Sequence, residues 1–230
     1  MKKILITIII VLAVFLIYIG FKNQKIYYLN IGDEIALGKT PYGNNDYSYS
    51  DSIKDYLSDK SILKKYVLYA HDDQHTTDII KDIKENNKIN VDNTQKHFQN
   101  VLIKADLITL SIGTNDFLKN LDIDNDFTTN DLYNTFNESL EDFEDLFKLL
   151  RDYCKEKIVF IGFYDKTNNQ KLNEFFKYVN SKMSELTLKY NIIYIDTYNL
   201  FYNSTFIDTY PTKQGYQLLA NEIVKKIDFD

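Results

Sequence analysis

Short apolar runs alternate along this chain with longer stretches whose apolar residues recur at the three- and four-residue spacing of a helix. The predicted strands are Lys25–Ile31, Tyr66–Ala70, Leu107–Ile112, Lys157–Phe163 and Asn191–Ile195. The predicted helices are Tyr49–Leu57, Thr77–Glu85, Asp92–Lys104, Thr129–Tyr153, Asn169–Tyr190 and Thr212–Ile227. Strands without polar alternation need both faces covered, so the pattern predicts an α/β fold with a five-stranded parallel sheet between two layers of helices.

The N-terminal segment has a different pattern. After Met1-Lys2-Lys3 the chain is almost entirely large and apolar from Ile4 to Phe21, a length at the lower edge of a membrane-spanning helix. No small-x-small cleavage site ends the run, so we predict an uncleaved transmembrane anchor over residues 1–21 rather than a signal segment. Residues 22–25 would form a short linker and residues 26–230 one domain. Retention of the short charged tail inside the cell places that domain outside the cytoplasm, as a single-pass membrane protein.

Composition narrows the possible functions. The chain has 230 residues, 44% of them hydrophobic, which is enough to bury one sizeable core. The single Cys154 excludes an internal disulfide and a zinc site built from cysteines. A net charge of -6, with Arg151 as the only arginine, argues against nucleic acid as a partner.

Polar residues follow the predicted strands at their carboxyl ends, where ligands bind in parallel α/β sheets. These segments are Gly32-Asp33-Glu34, His71-Asp72-Asp73-Gln74-His75 and Gly113-Thr114-Asn115-Asp116, and Asp208-Thr209-Tyr210-Pro211 precedes the last helix. We therefore predict that Gly32, Asp33, Glu34, Asp72, Asp73, Gly113, Asn115, Asp116, Asp208 and Tyr210 outline one pocket.

Three of these segments carry a resemblance. The turn from Gly32-Asp33 to Gly38, the Gly113-x-Asn115-Asp116 turn and the Pro211-Thr212-x-x-Gly215-Tyr216 helix start resemble the SGNH (GDSL-type) hydrolase family. The resemblance covers residues 26–227 and implies a three-layer, flavodoxin-like α/β/α sandwich. It also implies cofactor-free and metal-free hydrolysis of esters, often acyl or acetyl groups on lipids or carbohydrates. In the family, a Ser follows Gly-Asp, an Asp-x-x-His precedes the Pro, and the Ser amide, a Gly amide and an Asn form the oxyanion hole.

The sequence departs from the family at the catalytic positions. Glu34 stands where the resemblance places the nucleophilic Ser, Tyr210 where it places the His, and Ile207 where it places the Asp. Asp208 is one residue away from that last position, and no Gly occurs in Asp72-Asp73-Gln74, where the second oxyanion donor is expected. A phenol titrates near 10, so Tyr210 is a poor base at neutral pH. We therefore predict no serine-type triad, with Asn115 as the remaining family group.

Three hypotheses follow for the pocket. In the first, the protein is a non-catalytic binding module: Glu34 accepts hydrogen bonds from the leftover oxyanion donors, including Asn115, and from the Tyr210 hydroxyl. The protein would then be a pseudoenzyme of the cell envelope, anchored in the membrane, with a carbohydrate or lipid ligand.

In the second hypothesis, an oxygen-rich cation site supports hydrolysis. Its candidate ligands are Glu34, Asp72, Asp73 and Asp116, with His71 or His75. The alternative interpretation of these acidic residues is that they cap helices and turns.

In the third hypothesis, a relocated nucleophile acts with a histidine. The candidates are Thr40, Ser111 and Thr114, paired with His71 or His75. Separately, Tyr42, Tyr47 and Tyr49 could form an aromatic rim for a sugar.

Overall fold

The computed structural model describes residues 10, 25–118, 128–165, 170–202, 204–205, 210–227 and 229. The strands are β1 (Ile26–Gly32), β2 (Leu63–Ala70), β3 (Lys88–Val91), β4 (Thr94–His97), β5 (Leu107–Ser111), β6 (Lys157–Ile161) and β7 (Ile193–Ile195). The helices are α1 (Glu34–Leu37), α2 (Tyr49–Asp59), α3 (Thr76–Lys84), α4 (Phe98–Lys104), α5 (Thr114–Leu118), α6 (Thr129–Tyr153), α7 (Gln170–Lys189), α8 (Thr197–Phe201) and α9 (Lys213–Ile227).

Five strands form one parallel sheet in the order β2-β1-β5-β6-β7. The predicted five-stranded parallel sheet is therefore confirmed. Counted within this sheet alone, the order is 2-1-3-4-5, the flavodoxin-like order. The chain winds in opposite directions from β1 to β2 and onward to β5, so the topological switch point lies between the carboxyl ends of β1 and β5.

Helices cover both faces of the sheet. On β1, Leu29 and Ile31 point into a core that includes Phe143 of α6 and Phe175 of α7. The alternate residue Tyr28 points to the opposite face, whose core contains residues of α2 and α9. This alternation within one strand buries both faces and confirms the predicted α/β/α sandwich.

A β-hairpin corrects the predicted helix Asp92–Lys104. Strands β3 and β4 pair antiparallel, and the turn between them holds Asp92 and Asn93 at φ 48° and 58°. Two consecutive positive φ values belong to a type I′ turn, which tolerates Asp and Asn. The helix begins only at Phe98, so the helical prediction is wrong for residues 92–97. The alternation of buried and exposed residues in β3 is the sequence signal for this strand.

The predicted anchor over residues 1–21 lies outside the described residues, apart from Ile10, and so does most of the predicted linker. Within the described part of the chain, no helix combines the length and the apolar character needed to cross a membrane.

Candidate functional site

The candidate site lies at the switch point between β1 and β5. Gly32 ends β1 so close to β5 that a Cβ on it would lie 2.1 Å from the carbonyl oxygen of Ser111. Asp33 caps α1, since its Oδ1 accepts a hydrogen bond from the Ile35 amide at 3.1 Å. The first residue of α1 is Glu34, which this tight strand-to-helix turn directs toward the neighbouring loops.

Glu34 is buried, with 8% of its surface exposed, and both carboxylate oxygens are occupied. Its Oε1 accepts a hydrogen bond from the Asp73 amide at 3.1 Å. Its Oε2 accepts one from the Asn115 side-chain nitrogen at 3.2 Å. The Asp73 amide comes from the loop after β2, where the family resemblance places the Gly amide of an oxyanion hole, and Asn115 comes from the start of α5, where it places the Asn. The side chain of Glu34 therefore fills that position from inside the protein.

The loop after β2 is shaped to present its amide. Asp73 has φ 58°, a left-handed conformation that glycine adopts at little cost and that costs an aspartate more. Asn115 also donates to the carbonyl oxygen of Gln74 at 3.2 Å, which ties the start of α5 to the same segment. Although the loop lacks a glycine, its backbone has a glycine-like conformation.

Asp33 lies beneath the pocket, with 2% of its surface exposed. Burial, followed by repulsion from the Glu34 carboxylate, raises the pKa of Asp33 to about 8, although the Ile35 amide and the Ser111 hydroxyl oppose the shift. Asp33 is thus mostly protonated at neutral pH, beside an acidic neighbour whose two oxygens are engaged. Asp33 is thus enclosed, and both oxygens of Glu34 already accept hydrogen bonds within the protein.

The first hypothesis expected the Tyr210 hydroxyl to bond Glu34. Both residues are described, and no hydrogen bond joins them. The Tyr210 ring instead lies beside Lys39, whose ammonium is 5.9 Å from the ring centroid. Burial, and then the Glu34 charge, raise the pKa of the Tyr210 phenol, which makes it a still weaker base at neutral pH.

Lys39 forms an ion pair with Asp72 at 2.7 Å and so links the loop after α1 to the loop after β2. Its backbone carbonyl accepts a hydrogen bond from Tyr216 of α9 at 2.8 Å. The sequence does not indicate a role for Lys39, because a lone lysine beyond a turn carries no motif. The Lys39 amide also donates to the carbonyl oxygen of Glu34 at 2.9 Å, so Asp72 lies beside the candidate site.

Asp116 caps α3 across the pocket. Its carboxylate accepts hydrogen bonds from the Thr76 amide at 3.1 and 3.2 Å and from the Thr76 hydroxyl at 3.0 Å. The nearest ring nitrogen of His75 is 3.6 Å away. Burial raises the pKa of Asp116, and the bonds from Thr76 oppose that shift. For Asp116, the structure therefore supports the interpretation as a helix-capping residue.

The second hypothesis finds no geometric support in the described residues, among which no three His, Cys, Asp or Glu side chains gather as metal ligands do. Asp72 is turned to Lys39, Asp116 to Thr76 and Glu34 to the two oxyanion donors. These three predicted ligands are held by different partners.

The third hypothesis requires a histidine against a hydroxyl, and the described residues contain no such pair. Ser111 donates its hydroxyl to Asp33 at 3.3 Å, and Thr40 donates to Asn44 at 2.7 Å. His71 stacks edge-on against Tyr69. Thr114, predicted in a turn, is the first residue of α5.

Two further predictions concern the edge of the site. Gly113 has φ 114°, and a Cβ there would lie 2.2 Å from the ring of Phe143, so this turn requires glycine. Ile207 and Asp208 lie outside the described residues.

A buried polar network that the sequence did not reveal supports the site from below. The side chain of Asn30 donates to the carbonyl oxygen of Ala36 in α1 at 3.2 Å. Its oxygen accepts hydrogen bonds from Tyr49 at 2.7 Å and Thr109 at 2.8 Å. Asn30 thereby fixes α1, and with it Glu34, against the sheet and α2. The sequence alone does not show which face of β1 carries the Asn30 side chain; the pleat of the folded strand places it toward Tyr49 and Thr109.

Comparison with known proteins agrees with this geometry. The sequence profile described as GDSL-like Lipase/Acylhydrolase matches residues 28–223. The chain belongs to this GDSL-like family. The predicted family resemblance is therefore confirmed. No curated protein matches the chain in sequence.

Solved structures of GDSL-like relatives share the fold. The lipase Lip_vut3 from a goat rumen metagenome is 15% identical, with a TM-score of 0.72 over 86% of this chain and 96% of that one. Axe2, an acetylxylan esterase from Geobacillus stearothermophilus, is 16% identical, with a TM-score of 0.67 over 91% of this chain and 97% of that one. At these identities the likeness establishes the fold.

Proposed function

We propose that this GDSL-like protein is a membrane-anchored, extracytoplasmic binding protein that recognises a cell-envelope carbohydrate or lipid and does not hydrolyse esters. The observation that carries the proposal is the Glu34 carboxylate in the oxyanion position, bound by Asp73 and Asn115. An oxyanion hole accelerates ester hydrolysis by stabilising the negative charge that develops on the substrate. A resident negative charge repels that developing charge and occupies its donors.

The lack of a suitable general base among the described residues supports the same conclusion. General-base catalysis needs a group with a pKa near the working pH, and the pKa of Tyr210 is raised above the ordinary value of 10.0. Among the described residues no histidine contacts a serine or threonine hydroxyl. The proposed site thus keeps the fold position of a hydrolase site and lacks a group suited to proton transfer.

The ligand class follows from the family and from the predicted anchor. Solved neighbours include a lipase and an acetylxylan esterase, so the fold accommodates both lipid and carbohydrate esters. A domain held outside the cytoplasm by an N-terminal segment would meet such molecules in the cell envelope. The charge of -6 and the single arginine support a partner other than nucleic acid.

The activity test uses the full chain in detergent, with chromogenic acetyl and butyryl esters as substrates. We expect no turnover above buffer, while a GDSL-like esterase that has an intact Ser–His pair serves as the positive control. Turnover by the unmodified protein that disappears in the Glu34→Ala variant would contradict the proposal, because Glu34 would then be a catalytic group.

The occupied oxyanion position has its own test. The Glu34→Ala variant should bind acetate, because a free carboxylate can accept the hydrogen bonds that Asp73 and Asn115 donate to Glu34. Acetate, compared with chloride at equal ionic strength, should raise the melting temperature of this variant. The unmodified protein and the Glu34→Ala, Asn115→Ala double variant should not respond. An equal response in all three proteins would contradict the placement of Glu34.

A further inference from the structure

Tyr42 is the residue that the proposed pocket leaves unexplained. Of the three tyrosines predicted to form an aromatic rim, Tyr49 is fully buried, with its hydroxyl on Asn30. Tyr47 donates its hydroxyl to Asp55 at 2.5 Å. Tyr42, in contrast, exposes 94% of its surface. A single exposed apolar side chain is ordinary on a protein surface, so the argument depends on how Tyr42 is held and where it lies.

A tight turn holds Tyr42 in place. Gly43 donates its amide to the carbonyl oxygen of Thr40 at 2.9 Å, which closes a four-residue β-turn with Pro41 and Tyr42 at its centre. Proline at the second position and glycine at the fourth favour a type I turn, and the φ of Tyr42 is not positive, which excludes type II. The amide of Thr40 and its hydroxyl also bond to Asn44, at 2.8 and 2.7 Å.

This turn limits the conformations open to Tyr42 before any ligand binds. Proline fixes one backbone angle, and the two Thr40–Asn44 bonds close the base of the loop. A side chain presented from a fixed backbone loses less entropy on binding than one on a mobile loop. Tyrosine has few rotatable bonds for its contact area, which makes it efficient in recognition surfaces.

The turn adjoins the mouth of the pocket. Lys39, three residues before Tyr42, pairs with Asp72 and lies beside the Tyr210 ring. Three residues of extended chain span at most about 11 Å, so the Tyr42 backbone lies within that distance of Lys39. A ligand bound beside Lys39 therefore lies next to the turn that carries Tyr42.

The mouth of the pocket and the start of the domain lie at opposite ends of β1. β1 runs from Ile26, next to that segment, to Gly32 at the pocket, and its seven residues span about 23 Å. A membrane anchor on the N-terminal segment would thus lie at the opposite end of the sheet from Tyr42. This arrangement favours a ligand that extends away from the bilayer over a lipid within it.

Charge narrows the ligand further. The chain carries a net charge of -6, and beside the site Lys39 offsets the charge of Asp72 but not that of Glu34, which disfavours anionic polymers. A neutral sugar ring offers an apolar face of C–H groups that can pack on an aromatic ring.

We infer that the Tyr42 ring is a stacking platform for a neutral sugar ring of an envelope polysaccharide at the mouth of the pocket. The inference rests on the proposed function and assigns its ligand to carbohydrate. Tyr42 supplies contact area, while the occupied oxyanion position takes no part in the contact.

The test measures binding of the full chain in detergent to three probes: acetylated xylo-oligosaccharides, N-acetylated chito-oligosaccharides and vesicles of phosphatidylglycerol. We expect one of the two oligosaccharides to bind, with an affinity that added salt leaves unchanged. The Tyr42→Ala variant should bind that oligosaccharide roughly tenfold more weakly, a factor equivalent to about 1.4 kcal/mol. The Tyr42→Phe variant should retain most of the affinity, because stacking needs the ring rather than the hydroxyl.

Tyr202→Ala provides the matched control, since Tyr202 is an exposed tyrosine, 58% accessible, on a different loop. It should bind as the unmodified protein does, and all variants should keep its melting temperature. Oligosaccharide binding that is unaffected by Tyr42→Ala overturns the inference and leaves the proposed function in place. Binding to vesicles alone overturns the assignment to carbohydrate. If none of the probes binds, both the inference and the ligand class of the proposed function are overturned. Ester turnover is a separate measurement, and it would contradict the proposed function itself.

Discussion

At the scale of single residues, glutamate at position 34, where the family resemblance places a serine, has a longer reach and a charge that a serine would lack. Serine would end at a neutral hydroxyl close to the backbone. Glutamate extends farther and reaches the Asp73 amide and the Asn115 side chain with its two oxygens. Its negative charge also helps to raise the pKa of the neighbouring Asp33 to about 8. Glu34 thus affects both the Asp73 and Asn115 donors and the protonation state of Asp33 below them.

The protonation of Asp33 predicts a pH dependence of stability. Its pKa is 3.8 ordinarily and about 8 in the folded protein, so between these values the folded state holds a proton that the unfolded chain has released. The contribution of Asp33 to the free energy of unfolding is therefore full at acid pH and falls as pH rises toward 8, by up to about 1.4 kcal/mol per pH unit. Urea unfolding between pH 5 and pH 8 measures this contribution as the difference from an Asp33→Asn variant.

The Asp33→Asn variant keeps an oxygen to accept the bonds from Ile35 and Ser111 but has no proton to lose. Its free energy of unfolding should fall less between acid and neutral pH than that of the unmodified protein. The exposed Asp59→Asn variant controls for the loss of one carboxylate. Parallel curves for the unmodified protein and the Asp33→Asn variant would show that Asp33 is ionised in the fold.

At the scale of elements, local signals agree with the structure where one segment determines its own form. Helix α6 begins where predicted because Thr128 and Asp131 form a capping box, with the Thr128 hydroxyl bonded to the Asp131 amide at 3.3 Å. The turn and the second strand of the β3–β4 hairpin fall within the predicted helix Asp92–Lys104, because the strands are short and the turn, Asp92-Asn93, lacks the glycine that usually marks such turns.

The hairpin turn predicts the effect of a β-branched residue. Asn93 has φ 58°, so an Asn93→Val variant should lower the free energy of unfolding by about 1–2 kcal/mol, because a branched Cβ clashes with the backbone in this conformation. An Asn93→Gly variant should be as stable as the unmodified protein or more so.

Urea unfolding measures both Asn93 variants. Asn90→Val, on the exposed face of β3, provides a control in which the same new side chain suits a strand. A similar loss of stability in Asn90→Val and Asn93→Val would attribute the effect to valine rather than to the turn.

At the scale of the whole molecule, the two ends of the sheet differ in role. The pocket groups lie at the carboxyl ends of the strands. Arg151 lies at the opposite end, where it donates to the backbone carbonyls of Tyr190 at 2.9 Å, Cys154 at 3.3 Å and Glu156 at 2.5 Å, and to that of Asn191. The only arginine of the chain thus joins the ends of α6 and α7.

Removal of this link should affect stability and leave the pocket unchanged. An Arg151→Met variant should lose about 2–3 kcal/mol in the free energy of unfolding, since several carbonyls lose a charged donor. The Arg151→Lys variant should lose less of this free energy than Arg151→Met but should not reach the stability of the unmodified protein, because one ammonium cannot reproduce the planar arrangement of five donors. The acetate response of the Glu34→Ala variant should persist when either substitution is added. Loss of the acetate response in such a double variant, if the variant remains folded, would show that the two ends of the sheet are coupled.

The sequence by itself determined the alternation of strands and helices, the burial of both sheet faces and the family to which the chain belongs. These features depend on periodicity and on short motifs, which are local properties of the chain. The tertiary structure decided which groups meet: Glu34 with Asn115 and the Asp73 amide, Lys39 with Asp72, and Asp116 with Thr76. These partners are 33 to 81 residues apart, and their contacts follow from strand order and loop conformation, which no single segment encodes. The same holds for the rim, where only the folded chain distinguishes the exposed Tyr42 from the buried Tyr49.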